Sequence, residues 1–207
     1  MFKSIKIIFM FIVITMLFFS CAKPGYDDKS NFAVEPAGRR AVRVIEYYDN
    51  SEISSLNIPP RIANKAVTEI GNNSFCDIWL MEVTIPNTVV RIGAWAFSGN
   101  YIRDLSLSRN LTEISEGAFA ENRLSSIVIP DKVKKIGYRA FFRNPLRSIT
   151  IGNNVELEEL GGYNEYEGNW KYTAFEGTGF EDFYEENGRR AGIYTYNDDT
   201  WSVEFRR

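Results

Sequence analysis

Histidine is absent from all 207 residues. That removes the commonest general acid–base side chain and a principal zinc ligand, so imidazole-based triads and His-based zinc sites are excluded. Cysteine is nearly absent: Cys21 and Cys76 are the only two, which allows one disulfide at most. Strong net charge is lacking as well. The 24 Lys and Arg against 27 Asp and Glu leave −3, with no general pull towards nucleic acid. The balance is uneven along the chain, with 12 basic and 8 acidic residues in 53–155 but 5 and 13 in 156–207. No Asp-x-Asp-x-Asp spacing or phosphate-cradling glycine loop occurs. Carboxylates do gather at Glu156, Glu158, Glu159, Glu165 and Glu167, a pairing that elsewhere hydrolyses glycosides or holds calcium. Without such spacing they read as a solvated acidic flank, and no enzyme activity, cofactor or metal is expected.

What is present is repetition. Phe75, Phe97, Phe119 and Phe141 are 22 residues apart, and so are Ile70, Ile92, Ile114 and Ile136. Val67, Val89, Leu111, Val133 and Val155 keep the same step, as do Asn100, Asn122 and Asn144. Upstream of each phrase comes an apolar trio at positions one, four and six: Leu80-Val83-Ile85, Ile102-Leu105-Leu107, Leu124-Ile127-Ile129 and Leu146-Ile149-Ile151. An earlier trio, Ile53-Leu56-Ile58, precedes by 27 instead of 22, with the extra residues near 61–66, where a loop can bulge. Self-similarity at a fixed period marks a stacked repeat protein.

The last two apolar residues of each trio share one face of a short strand. Pro59, Pro86 and Pro130, or Ser108 and Gly152, end it. A 22-residue coil cannot bury its own apolar side, so successive coils must pile up, with parallel strands about 4.8 Å apart. The phenylalanines are then expected to form one internal column, and the asparagines to satisfy backbone groups between coils.

These residues resemble a known family. Leu-x-x-Leu-x-Leu-Pro followed by Val-x-x-Ile-Gly-x-x-Ala-Phe is similar to the treponemal-type, or BspA-like, leucine-rich repeat, over about residues 53–160. The departures are Ser115 in place of glycine and Ile78 in place of asparagine. The resemblance implies a right-handed curved solenoid on a bacterial surface protein, often linked to adhesion.

The expected organisation follows. Residues 1–20 (Lys3 and Lys6, then the 13-residue apolar run 7–19) read as a secretory signal. As a helix the run covers about 20 Å of a roughly 30 Å hydrocarbon core, which argues against the alternative of a spanning anchor. Leu17-Phe18-Phe19-Ser20-Cys21 resembles a bacterial lipobox, in which Cys21 becomes the lipidated first residue; an ordinary signal with a chance cysteine is the alternative. Cys76 is then a buried free thiol. Residues 21–40 are expected as a flexible tether, 41–160 as the repeat solenoid with a strand cap at 41–48, and 161–207 as a degenerate last repeat closed by a β-hairpin around 197–200.

Stacking also aligns what points outward. Glu82, Asp104, Ser126 and Ser148, with Thr84, Ser106, Val128 and Thr150, line the exposed sheet face. Five strands make that face roughly 20 by 17 Å, or about 340 Å², below the ~800 Å² per partner of a standard interface. The turn before each strand carries Trp79, Tyr101 and Arg123, beside Met81, Arg103 and Arg147. Aromatic and arginine side chains are the usual anchors of protein interfaces; the alternative is that Trp79 and Tyr101 only pack over the coil edges. The sequence therefore points to a lipid-anchored, surface-exposed, non-enzymatic protein of the bacterial envelope. Its expected partner is a host or neighbouring surface protein, with the membrane reached through the lipid. A structural or assembly role in the envelope is the alternative.

Overall fold

The computed structural model describes residues 27–48, 53–164, 168–176 and 178–206. The expected signal (1–20) and Cys21 lie outside them. Five elements form the N-terminal end: β1 (Phe32–Gly38), β2 (Ala41–Tyr47), β3 (Ser55–Asn57), β4 (Arg61–Ile62) and β5 (Lys65–Ile70). The repeats then contribute two short strands per coil: β6 (Glu82–Thr84) and β7 (Arg91–Ile92), β8 (Asp104–Ser106) and β9 (Glu113–Ile114), β10 (Ser126–Val128) and β11 (Lys135–Ile136), β12 (Ser148–Ile151) and β13 (Glu156–Leu157). After these come β14 (Leu160–Asn164), β15 (Gly168–Tyr172), α1 (Phe180–Glu186), β16 (Gly192–Asn197) and β17 (Thr200–Phe205).

The result is a β-solenoid whose coils are stacked at the 22-residue step. Strands one coil apart pair in parallel register: Val83 with Leu105, Ile127 with Ile149, Ile92 with Ile114 and Ile114 with Ile136. The trio strands were expected in one sheet. They form two, β3-β6-β8 and β10-β12-β16-β17, with the ladder interrupted between β8 and β10. The Val-x-x-Ile segments, which carry no strand signal of their own, pair as a second ladder that continues from the N-terminal strands, β1-β2-β5-β7-β9-β11-β13.

Inside, the phenylalanine column is continuous. Ring centroids of Phe75 and Phe97 are 5.0 Å apart, Phe97 and Phe119 5.3 Å, and Phe119 and Phe141 5.6 Å, all stacked. Phe175 adds a fifth ring at 5.0 Å although it lies off the 22-residue step. Each buried ring contributes about 1.5–3 kcal/mol by leaving water. The asparagine ladder satisfies the main chain between coils. Asn122 Oδ1 accepts from Ile102 N–H, while its Nδ2 donates to the carbonyls of Phe97, Phe119 and Ala120. Glycine follows isoleucine where coils press together: a Cβ on Gly137 would sit 2.4 Å from Glu116 N. Two turn positions in each coil are left-handed, one at Asn73, Trp95, Gly117 and Arg139 and the other at Asp77, Gly99, Glu121 and Arg143.

The ends depart from expectation in several places. The described part of the supposed tether is not a tether. Residues 32–38 form β1, antiparallel to β2, and Phe32 packs on Tyr47 and Phe75. The N-terminal cap is thus a hairpin held by aromatic burial. The extra residues near 61–66 are not a loose bulge either. Ala63 and Asn64, both at positive φ, turn β4 back onto β5, as two-residue hairpins require. Cys76 is free but half-buried, so it is less enclosed than expected. At the C-terminal end β14 and β15 pair as a hairpin where the repeat frays, and β16–β17 form the expected closing hairpin. Between them α1 plugs the stack. Phe180 meets Phe175 edge-on at 4.9 Å and stacks on Tyr184 at 5.6 Å.

Candidate binding rim

The rim is built by alternation in the turn that opens each coil. Asn100 and Ile102 are buried, so Tyr101 and Arg103 between and after them face outward. Main-chain bonds lock this turn to the coil before it: Tyr101 N–H donates to Leu80 O at 2.8 Å and Arg123 N–H to Ile102 O at 3.0 Å. Residues 22 apart are therefore neighbours. Trp79 and Tyr101 meet edge to face at 6.1 Å, and the Arg123 guanidinium lies 4.2 Å over the Tyr101 ring. The sequence-expected set comes together along one edge of the solenoid. Trp79 is 70% exposed and Met81 47%; Tyr101 is half-buried, and Arg103, Arg123 and Arg147 are exposed.

Two features distinguish this edge. Trp79 has φ +71°, whereas Tyr101 and Arg123 do not share that left-handed backbone. The cause is local. With Ile78 where later coils carry asparagine, Asn100 Oδ1 accepts from both Ile78 N–H and Leu80 N–H, pinching Trp79 between them. Such a conformation costs a bulky residue about 1–2 kcal/mol and persists where surrounding bonds enforce it. The second feature is charge. Elsewhere on the solenoid Arg43, Arg91, Arg139 and Arg143 are held by glutamates at 2.5–3.5 Å. Arg103, Arg123 and Arg147 form no ion pair among the described residues, and neither do Arg61 and Arg109; what sets the rim apart is unpaired arginine beside exposed aromatic rings.

The rim continues into the cap, where sequence reasoning stopped short. Tyr196 N–H donates to Arg147 O at 2.8 Å, which docks β16 beside the last coil. A cavity of about 200 Å³ opens there, lined by Pro145, Arg147, Thr178, Tyr196 and Trp201. Tyr196 and Trp201 rings lie 5.2 Å apart, and Trp201 Nε1 donates to Thr178 O. The hairpin was legible, but nothing in its spacing tied it to the rim.

The acidic flank is dispersed where it is described. Glu158 pairs with Lys135 at 2.6 Å, Glu156 and Glu159 are exposed, and Glu165 and Glu167 lie outside the described residues.

Residues 45–163 match the model of the BspA type leucine rich repeat region, in six copies. The chain belongs to that family. A solved leucine-rich repeat protein of Bacteroides capillosus is similar to this BspA-type chain at 28% identity, with TM-score 0.50 over 59% of this chain and 95% of that one. The T. pallidum leucine-rich repeat protein shares the fold at 22% identity and TM-score 0.52, over 60% of this chain and 71% of that one. No curated protein matches the sequence.

Proposed function

We propose that this BspA-type protein is a lipid-anchored, non-enzymatic component of the bacterial cell surface that binds a protein partner through the Trp79–Tyr101–Arg123 rim. The reading rests on one observation: three successive coils present aromatic, thioether and guanidinium groups along one edge, with no acidic partner among the described residues. Aromatic and arginine side chains dominate interface energies where a partner desolvates them. The neutral outer sheet face supports binding only weakly, because its area is small. Cys21 supplies the anchor in this reading, and many anchored copies add weak single contacts multivalently.

Replacing Trp79, Tyr101 and Arg103 by alanine is expected to weaken partner capture while leaving the melting temperature within a few degrees. Capture is measured on immobilised host matrix proteins and on envelope extracts; the source that loses binding identifies the class of partner and separates adhesion from envelope assembly. Unchanged binding, or loss of fold, rejects the rim. Surface proteolysis of intact cells, with mass spectrometry of the mature N-terminus, tests exposure and acylation of Cys21 together.

A further inference from the structure

The two ends of the stack treat their sheet edges differently. At the N-terminal end β1 carries Pro36 within its span, and proline removes a ladder donor from an edge. The edge of β3 is closed by Asp27, whose N–H donates to Asn57 O at 3.0 Å and whose Oδ2 accepts from Asn57 N–H at 2.6 Å. At the other end the last strand, β17, has neither device. It has no proline, and its six-residue pairing with β16 runs without a bulge.

The phase of that pairing decides which groups are free. Tyr196 N–H faces Arg147, so the opposed Trp201 turns its main chain away from β16. Arg206 N–H donates to Ala191 O at 3.0 Å, which puts Glu204 and Ser202 on the bonded side as well. Trp201, Val203 and Phe205 therefore present their N–H and C=O groups outward. None of these has a main-chain partner among the described residues.

We propose that β17 pairs antiparallel with β17 of a second copy, about a two-fold axis at Val203. The strand is self-complementary in that register. Val203 meets its own counterpart, Trp201 meets Phe205, Ser202 meets Glu204, and Thr200 meets Arg206, so no like charges face each other. Both copies then keep their outer faces on the same side. Two four-stranded sheets fuse into one of eight strands, about 38 Å across at the usual strand spacing. Val128, Thr150 and Ile193, which lie in register on each half, become parts of one face large enough to serve as an interface. The inference does not depend on the rim. A six-residue edge alone is far smaller than the ~1,200 Å² of a stable interface, so association is expected only at high protein concentration or on a crowded membrane.

Sedimentation equilibrium of the full chain in density-matched detergent tests it. The protein mass is expected to rise from 23.8 kDa towards twice that value as concentration increases. Val203→Pro removes one outward N–H and blocks the edge while sparing the bonds to β16; because the Val203 side chain packs partly buried against the core, the variant is expected to fold with a lowered melting temperature and to stay monomeric. Ser202→Glu sets a carboxylate opposite Glu204 of the other copy and is expected to weaken association several-fold; Ser202→Lys is expected to strengthen it. A chain that stays monomeric up to its solubility limit overturns the proposal, including the case where an unrelated extended peptide occupies the edge instead. A folded Val203→Pro variant that still associates overturns it too, as do Ser202 variants that shift association in the same direction.

Discussion

Glu181 offers the sharpest test of how the solenoid is closed. In every inner coil the phenylalanine N–H donates to the carbonyl of the next coil's alanine: Phe75 to Ala96, Phe97 to Ala118, Phe119 to Ala140 and Phe141 to Ala174. Phe175 has no next coil. Its N–H donates instead to Glu181 Oε1 at 2.5 Å, and Glu181 is only 6% exposed. A side-chain oxygen from α1 thus stands in for the missing coil. Glu181→Ala leaves a buried N–H without an acceptor, at a cost of about 1–3 kcal/mol. For a chain of this size that is roughly 2–4 °C of melting temperature per kcal/mol. Glu181→Gln keeps the acceptor oxygen and should lose little at low pH, where the Glu181 carboxyl is uncharged too. Burial in the cap raises the Glu181 pKa above its ordinary 4.5, against the lowering effect of its bonds to Thr173 and Phe175. A carboxyl group whose folded pKa is raised stabilises the fold below its unfolded pKa, and that contribution is lost as pH rises through the folded value. The advantage of the glutamine variant over wild type should therefore be absent near pH 4 and grow from about pH 4.5 upward. Thermal melts by circular dichroism from pH 4 to 7.5 read both effects. A Glu181→Ala variant as stable as wild type would refute the stand-in, and a glutamine variant no better than alanine at neutral pH would show that the charge itself is needed.

Two further outcomes probe the interior. Asn122→Ala strips acceptor and donor from Ile102 N–H and the Phe97, Phe119 and Ala120 carbonyls. Chemical denaturation should show a loss of about 1–3 kcal/mol, because Ile102 N–H alone is left without a partner; the Phe97 and Phe119 carbonyls keep the amides of Asn100 and Asn144, and Ala120 O keeps Gly99 N–H. Gly137→Ala forces a Cβ against the Glu116 backbone and should cost about 1–3 kcal/mol through overpacking, measurable as a lower urea midpoint with an unchanged slope.

The columns were readable in the sequence because an equal step puts like residues in contact whatever the detailed path of the chain. Phe97, Phe119, Phe141 and the three asparagines are placed by arithmetic alone. The rim was readable for the same reason. What escaped notice lacked that regularity. Strands of two residues such as β7 and β9 are too short to show alternation, so the second ladder had no signal of its own. Phe180, Phe183 and Tyr184 carry the helical i, i+3, i+4 spacing. But α1 is seven residues long, opens on a left-handed Gly179 without a side-chain cap, and carries Glu181, Asp182, Glu185 and Glu186 among those seven. Pro36 made 32–38 look broken, although an edge strand accommodates proline.

Among the described residues the hairpin at one end and the helix with its hairpin at the other meet the outermost coils, with one ion pair from Arg206 to Asp131 reaching a coil further in, and the inner coils bond mainly to their neighbours. The molecule's length can therefore change in whole increments of 22 residues, about 4.8 Å each, without redesign of either terminus. Gene segments of that size can be gained or lost while the protein still folds. Such changes would set how far the distal end stands from whatever holds the first residue, much as adding links lengthens a chain without altering its clasps.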